Sequence, residues 1–126
     1  YNKSLNENND QKKSDQLEAI RVFELALKVD PEKAETFIVL AKFHNQINKF
    51  DKAKDFINQG LKIELLRKEQ KTELFLVFAE VYKKEKKIDQ ALEFYKKAYN
   101  ENNESIISIL GIMRSNLELN NIIGRG

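Results

Sequence analysis

The chain has 126 residues, enough to form one domain with a buried core. Its 22 basic and 20 acidic side chains leave a net charge of +2, too weak a field to indicate a nucleic-acid partner or attachment to an anionic membrane. The sequence contains no cysteine, which excludes disulfides and thiolate metal sites, and no apolar run approaches the roughly 20 residues that a membrane-spanning helix needs.

One proline and four glycines indicate long helices rather than many turns. Lysine, asparagine and isoleucine are abundant, which is typical of AT-rich genomes and favours a bacterial source. Because the sequence starts at Tyr1 rather than at a methionine, we expect it to be an excised part of a longer protein. Any leader or anchor would then lie upstream, so the compartment stays open between the cytoplasm and the cell envelope or periplasm.

The first 13 residues, YNKSLNENNDQKK, are polar and rich in asparagine. Such a segment cannot bury enough apolar surface to offset the entropy of ordering it, so we predict a disordered linker over residues 1–13. Helix-forming sequence starts near Ser14, and Asp15 with Glu18 fits a capping box. A helix from about 16 to 29 then carries one apolar stripe: Leu17, Ile20, Phe23, Ala26 and Leu27.

Residues 30–65 read as two further helices joined by a tight turn, near 31–47 and 51–68. Asp30 can cap the first of them, and Pro31 suits its first turn. No proline stands at Leu65 to end the second helix, so we predict that it continues to about Lys68. The segment TELFLVFAEVYKKEKKIDQALEFYKKAYNENNE predicts another helix pair of the same kind.

The last apolar segment, residues 105–119, has helical periodicity, and the tail 120–126 is expected to be disordered or truncated. The helical register of residues 105–119 has two solutions. Either Ile109 and Ile112 take the places that Phe75 and Phe78 have in the preceding helix pair, or Ile107 and Leu110 do.

Marker residues recur at matching positions through these segments. Phe37, Leu40 and Ala41 on one first helix correspond to Phe75, Phe78 and Ala79 on the next. On the second helices, the marker alanines are Ala19, Ala53 and Ala91, spaced 34 and 38 residues apart. This arrangement resembles the tetratricopeptide repeat family, whose period is about 34 residues. His44 departs from the family pattern by replacing the usual tyrosine, as Leu65 does by replacing the usual proline.

The resemblance implies an all-α fold, a right-handed α-solenoid of antiparallel helix pairs. It covers residues 14–119 with about three repeats, of which the first and last are incomplete. The small residues Ala41, Ala53 and Gly60 are expected where helix axes cross closely. Binding of another protein or peptide, rather than catalysis, is the function that this family implies.

The residues themselves give little basis for catalysis or for a cofactor. His44 is the only histidine and stands at a core-facing place, so a structural role is favoured. The carboxylate pairs lie on polar helix faces, and the sequence has no phosphate-binding loop or nucleophile elbow. The lysine cluster at 83–87 falls at a helix end, where positive charge opposes the helix dipole. We therefore expect that the chain is not an enzyme and that it has neither a cofactor nor a metal site.

In repeat arrays of this family, the first helices line a concave surface, and the residues after the bulky core aromatic point into it. The resemblance thus implies a partner-binding groove formed by Ile38, Val39, Lys42, Asn45, Leu76, Val77, Glu80, Lys83 and Leu110, with Arg114 equivalent to Lys42 and Glu80. The lysine, arginine and asparagine set with which some members clamp a carboxylate is absent. An apolar or amphipathic partner segment is expected instead.

Three alternatives stay open at this stage. Ile38 and Leu76 could pack against neighbouring helices rather than line a groove. The ends of the array could pair with another copy, giving a homo-oligomer, because a cut solenoid exposes apolar end faces. The chain could also be the regulatory domain of a larger enzyme.

Overall fold

The computed structural model describes the backbone of residues 2–125 and the side chains of residues 10–121. Within the described backbone there are six helices and no strand: α1 (Asn2–Val29), α2 (Ala34–Gln46), α3 (Phe50–Leu61), α4 (Lys68–Lys84), α5 (Ile88–Glu101) and α6 (Ile106–Arg125). Helices make up 82% of the chain. The predicted all-α solenoid of antiparallel helix pairs is confirmed.

The helices pack in chain order, with α2 against α3 and α4 against α5, and the two first helices α2 and α4 also touch each other. Apolar residues of α2, α3 and α4 form the main core: Ile38, Ala41, Ala53, Ile57, Leu74, Val77, Phe78 and Val81. A second cluster continues it toward α6 and contains Ala79, Ala91 and Tyr95. The core is therefore a continuous layer along the stack.

Small residues let the helices of a pair approach closely. Ala41, Ala53, Ala79 and Ala91 are completely buried. A Cβ atom added to Gly60 would lie 3.2 Å from the Cβ atom of Phe37 and 3.1 Å from a methyl group of Leu74. A larger side chain at these positions would push the helices apart, as the sequence pattern predicts.

The turns inside the two complete helix pairs share one conformation. Asn48 between α2 and α3 has a φ of 63°, and Lys86 between α4 and α5 has a φ of 66°. In each turn the following amide closes the end of the first helix, with Lys49 N donating to His44 O at 2.8 Å and Lys87 N donating to Tyr82 O at 2.9 Å. The pairs thus repeat in backbone detail as well as in sequence.

The predicted extension of the helix beginning near Asp51 is wrong. α3 ends at Leu61, and residues 62–67 form a loop. The loop turns Leu66 back onto the main core, whereas Leu65 is 91% exposed. The four extra residues of this unit lie in that loop and in an added first turn of α4, which begins at Lys68.

The two terminal helices are longer than predicted. α1 begins at Asn2 rather than near Ser14, and α6 continues to Arg125 rather than ending near residue 119. The predicted disorder at Tyr1 and Gly126 lies outside the described residues, and the division into linker, repeat domain and tail remains a prediction.

Burial settles the register of α6 in favour of Ile109 and Ile112. The inward residues of α4 are Leu74, Val77, Phe78 and Val81. Thirty-four residues further on, the buried or half-buried residues of α6 are Ser108, Gly111, Ile112 and Ser115. In the alternative register Ile107 would replace Phe75, but its side chain is 63% exposed. Met113 consequently stands at the place of Ala79.

Candidate groove on the first helices

Two adjoining cavities run across the first helices and share four lining residues: Glu80, Lys83, Ile88 and Glu118. One has a volume of ≈ 360 Å³ and lies between α4, α5 and α6. The other has a volume of ≈ 540 Å³ and lies between α2, α4 and the turn before α5. We call the two together the groove.

Repeat periodicity explains why these side chains meet. Lys42 on α2 corresponds to Glu80 on α4 and to Arg114 on α6, and all three line the groove. Three residues further along each helix, Asn45 on α2 corresponds to Lys83 on α4 and to Leu117 on α6. Because successive first helices present equivalent residues to the same side, a short stretch of each helix is enough to build a continuous surface.

The cavity at α6 is mainly apolar. Its walls include Ile88, Ile107, Leu110 and Leu117, with the Tyr95 ring at its side. Leu110 and Leu117 are partly exposed, so their apolar surface is in contact with water. This part of the groove, the apolar cavity, can bury bulky apolar side chains of a ligand.

The cavity at α2 is mainly basic. Four lysines line it, Lys42, Lys83, Lys84 and Lys86, together with the two shared glutamates. Lys84 Nζ donates to the carbonyl oxygen of Asn45 at 2.7 Å, and Lys42 forms an ion pair with Glu73. We call this part the basic cavity. Its side chains can form ion pairs with carboxylates of a ligand.

Tyr95 and Glu80 join the apolar cavity to the core beneath it. The buried Tyr95 Oη donates a hydrogen bond to Glu80 Oε1 at 2.6 Å. Burial, and then the bond to Glu80, raise the pKa of Tyr95 well above its ordinary value, while the charge of Arg114 acts in the opposite direction. The phenol therefore stays protonated and holds the Glu80 carboxylate in place.

Five of the nine predicted groove residues line the groove: Lys42, Asn45, Glu80, Lys83 and Leu110. Leu76 is instead half-buried against the cluster around Tyr95 and Ala91. Val39 is 38% exposed, whereas Val77, its counterpart on α4, is 4% exposed.

The assignment of Ile38 and Val77 to the groove needs correction. Both are 4% exposed and belong to the main core that α2, α3 and α4 share. These positions face the neighbouring first helix in the stack rather than the open side, and Val39 remains exposed because α2 is the earliest first helix in the described residues. The alternative that Ile38 packs against neighbouring helices is the one that the structure supports.

Several residues that line the groove were not predicted from the sequence. Leu117 could have been found, because it follows Lys83 by 34 residues, the family period. Ile107 and Glu118 required the register of α6, which two alignments left open. Ile88 begins a second helix, and only the packing of α5 against α4 brings it to the concave side.

His44 has the structural role that its sequence position favours. It is buried, its Nδ1 atom lies 2.7 Å from Leu40 O, and its ring lies 5.1 Å from that of Phe56. Among the side chains that the structure describes, no group of histidine, cysteine and carboxylate residues could hold a metal ion. None of the helices in the described part of the chain is long and apolar enough to span a bilayer.

Residues 72–105 match the sequence profile of the family described as Tetratricopeptide repeat. This part of the chain carries a tetratricopeptide repeat. The matched residues span nearly all of α4 and α5, and the resemblance inferred from the marker residues is confirmed. No curated protein matches the sequence at a significant level.

Solved structures show the same fold. One is from a functional characterisation of Pseudomonas aeruginosa PilF, with a TM-score of 0.69, 18% identity, and coverage of 80% of this chain and 45% of that chain. Another is PcrH in complex with the chaperone-binding region of PopD, with a TM-score of 0.63, 14% identity, and coverage of 93% and 85%. The chain thus spans less than half of the PilF chain. Tetratricopeptide repeat proteins are generally non-catalytic interaction modules.

Proposed function

We propose that this chain acts without catalysis and binds an apolar or amphipathic segment of a partner protein in the groove. The observation that carries this proposal is the direct junction of the apolar cavity and the basic cavity on equivalent positions of α2, α4 and α6. A rigid surface of this kind recognises a segment by a few bulky anchors and by the charges beside them.

The apolar cavity supplies most of the affinity in this proposal. Anchors that enter it remove their own surface and that of Leu110 and Leu117 from water, at about 25 cal/mol per Å² of apolar area. The protonated Tyr95 phenol and the Glu80 carboxylate set the polar edge of the cavity. A partner residue that is bulky and apolar fits this cavity better than a charged one.

The basic cavity sets which segment is preferred. Four lysines against two glutamates leave an excess of positive charge there, so acidic residues of the partner next to its apolar anchors are stabilised. The ion pair of Lys42 with Glu73 and the two shared glutamates keep the region mixed in sign. An amphipathic segment is therefore favoured over a purely acidic one.

The structural likeness to PcrH bound to a region of PopD supports a protein segment as the ligand class. Nucleic acid is not favoured, since the net charge is only +2. Self-association through the ends of the array is a second candidate, because α1 and α6 leave apolar side chains exposed. A regulatory role within a larger enzyme stays a prediction that no observation favours.

A peptide-display library tests the proposal without a known partner. We expect selected peptides to combine bulky apolar residues with acidic ones and to bind the wild-type chain in fluorescence anisotropy. The variant carrying Leu110→Asp and Lys83→Glu should bind them about tenfold or more weakly. The control Lys96→Glu, on the exposed side of α5, should bind as wild type. An equal loss of peptide affinity in this variant and in Lys96→Glu, or no loss in the Leu110→Asp, Lys83→Glu variant, would rule out the groove as the binding site.

A further inference from the structure

Among the charged residues of the apolar cavity, Glu80 is the one whose position the fold determines. Four charged side chains line this cavity: Glu80, Lys83, Arg114 and Glu118. In the described part of the chain, only Glu80 has a hydrogen bond to another side chain, which its Oε1 atom accepts from Tyr95 Oη at 2.6 Å. The other three have long, flexible side chains that a ligand would have to order at a cost in entropy. The fixed charge that a ligand meets here is therefore that of Glu80.

Tyr95 holds Glu80 in place because it cannot move itself. Its side chain is 3% exposed, and its ring lies so close to the backbone of α6 that a Cβ atom added to Gly111 would overlap it. Burial raises the pKa of Tyr95 well above its ordinary value, so the phenol remains a hydrogen-bond donor at neutral pH. Tyr95 is therefore a positioning residue for the Glu80 carboxylate.

Glu80 keeps part of its binding capacity free. Among the side chains that the structure describes, none donates a hydrogen bond to its second oxygen, Oε2, and no ion pair includes it. Glu73 on the same helix is paired with Lys42, and Glu85 is paired with Lys54. The Glu80 side chain is exposed. A carboxylate with one oxygen fixed and the other open can accept a charge-assisted hydrogen bond from a ligand.

The charge along the groove changes sign at Glu80. The junction of the two cavities is formed by Glu80, Lys83, Ile88 and Glu118. These residues carry two acidic side chains and one basic side chain. On the α2 side, the residues that line only the basic cavity include three lysines and no acid. On the α6 side, the walls are mainly apolar apart from Arg114. The groove thus changes from apolar to acidic and then to basic.

We propose that Glu80 determines the specificity of the groove by binding a lysine or arginine side chain of the partner segment. This inference rests on the proposed function and narrows its ligand. The segment carries, in this order, a bulky apolar residue for the apolar cavity, a basic residue opposite Glu80, and acidic residues for the basic cavity. Each charge then meets its opposite. A segment with the basic and acidic residues exchanged places like charges together, so their order decides the affinity.

Peptide selection in parallel against the wild type and Glu80→Gln tests this inference. The glutamine oxygen still accepts the hydrogen bond of Tyr95, so the variant removes the charge and keeps the contact. We expect wild-type peptides to be enriched in a basic residue at one position between their apolar and acidic residues. This enrichment should be lost with Glu80→Gln. The matched control is Glu93→Gln, at an exposed carboxylate of α5 outside the groove, and it should select the same peptides as the wild type.

A double-mutant cycle in fluorescence anisotropy measures the ion pair directly. The probes are one selected peptide and its copy with the basic residue replaced by glutamine. We expect this replacement to weaken binding to the wild type about fivefold and to leave binding to Glu80→Gln nearly unchanged.

Tyr95→Phe tests the positioning role, because it keeps the ring against Gly111 and removes the Oη atom. It should reduce the fivefold preference between the two peptides, whereas Tyr99→Phe, at an exposed tyrosine of the same helix, should retain it. A merely structural role of Tyr95 would weaken both peptides equally. A Tyr95→Phe variant with the full preference would therefore overturn the positioning role.

Failure of this inference is distinguishable from failure of the proposed function. Selected peptides can lose affinity for the Leu110→Asp, Lys83→Glu variant and yet lack a basic residue, or prefer it equally with Glu80→Gln. Either result would overturn the role of Glu80 and leave the groove as the binding site. A selection without any peptide that depends on the groove would overturn the proposed function, and this inference with it.

Discussion

Two adjacent residues on α2 separate core from surface. Ile38 is buried in the main core, whereas Val39 is partly exposed. Ile38→Asp should lower the free energy of unfolding by about 3 kcal/mol or more, because it places a carboxylate without a partner among apolar side chains. The matched change Val39→Asp should cost less than about 1 kcal/mol. Urea denaturation of both variants measures the difference, and equal effects would contradict the assignment of Ile38 to the core.

Gly111 is a residue at which the size of the side chain determines the stability of the fold. A Cβ atom there would lie 2.3 Å from Cδ1 of the buried Tyr95 ring. Gly111→Ala should therefore destabilise by about 1–3 kcal/mol through overpacking, although alanine favours helix by about 1 kcal/mol. Asn116→Ala, at an exposed position of α6, is the control and should be neutral or stabilising. A stabilised Gly111→Ala variant in thermal melts would show that α6 can shift away from Tyr95.

At this scale the sequence predicted some residues well and others poorly. Ala53, Ala91 and His44 are buried as their marker positions indicated, because each marks a contact inside a single repeat. Ile38 and Val77 were misplaced because their surroundings depend on how neighbouring repeats rotate against each other. A pattern within one helix shows which residues share a face, but not which neighbour covers that face.

The turn between α4 and α5 determines how one helix pair closes. Lys86 has a φ of 66°, in the left-handed region where a residue with a Cβ atom is strained by about 1–2 kcal/mol. Lys86→Gly should relieve this strain and raise stability by up to about 1 kcal/mol, after the greater entropy of glycine in the unfolded state is subtracted. Lys87→Gly, at a φ of −99°, should destabilise instead. Chemical denaturation that ranks the two variants in the reverse order would contradict this account.

The start of α4 is tied to α2 by Glu35. Its Oε1 atom accepts hydrogen bonds from Gln70 Nε2 at 2.8 Å and from Arg67 at 3.1 Å. The backbone and Gln70 hydrogen bonds, aided by Arg67, lower the pKa of Glu35 below its ordinary value of 4.5. A lowered folded-state pKa means that the stabilisation is complete above the unfolded-state value and is lost as the pH falls through the folded-state value.

We therefore expect Glu35→Gln to reduce the slope of the melting temperature against pH below about pH 4.5. Near neutrality this slope should change little. Glu69→Gln, at an exposed carboxylate in the first turn of α4, is the comparison variant. If both variants and the wild type have the same acid profile, the contact between Glu35 and α4 contributes nothing measurable.

Helix existence was predictable, whereas helix ends were not. The apolar period and the marker alanines located α2, α3, α4 and α5 because burial of one face determines both the pattern and the helix. The end of α3 depends on Leu66 folding back onto the core. The local sequence around Leu65 does not indicate this tertiary contact. The start of α1 was missed because the polar, asparagine-rich residues 1–13 have no apolar periodicity from which a helix could be predicted.

For the molecule as a whole, the stack of helix pairs produces the groove as a consequence of repetition. Equivalent positions on α2, α4 and α6 face the same side, so the sequence could predict that a groove exists and that Lys42, Glu80 and Lys83 belong to it. The division into an apolar cavity and a basic cavity could not be predicted, because it depends on the register of α6 and on the approach of Ile88 from α5.

The most direct test of the proposed binding is nuclear magnetic resonance mapping of a peptide selected against the chain. Backbone amide resonances are compared with and without the peptide, using the Leu110→Asp, Lys83→Glu variant as the control. We predict that the largest shifts fall at residues of the two cavities: Lys42, Lys83, Ile88, Leu110, Arg114 and Leu117. Shifts concentrated instead on the exposed faces of α3 and α5, and retained in the control variant, would contradict the groove as the site of binding.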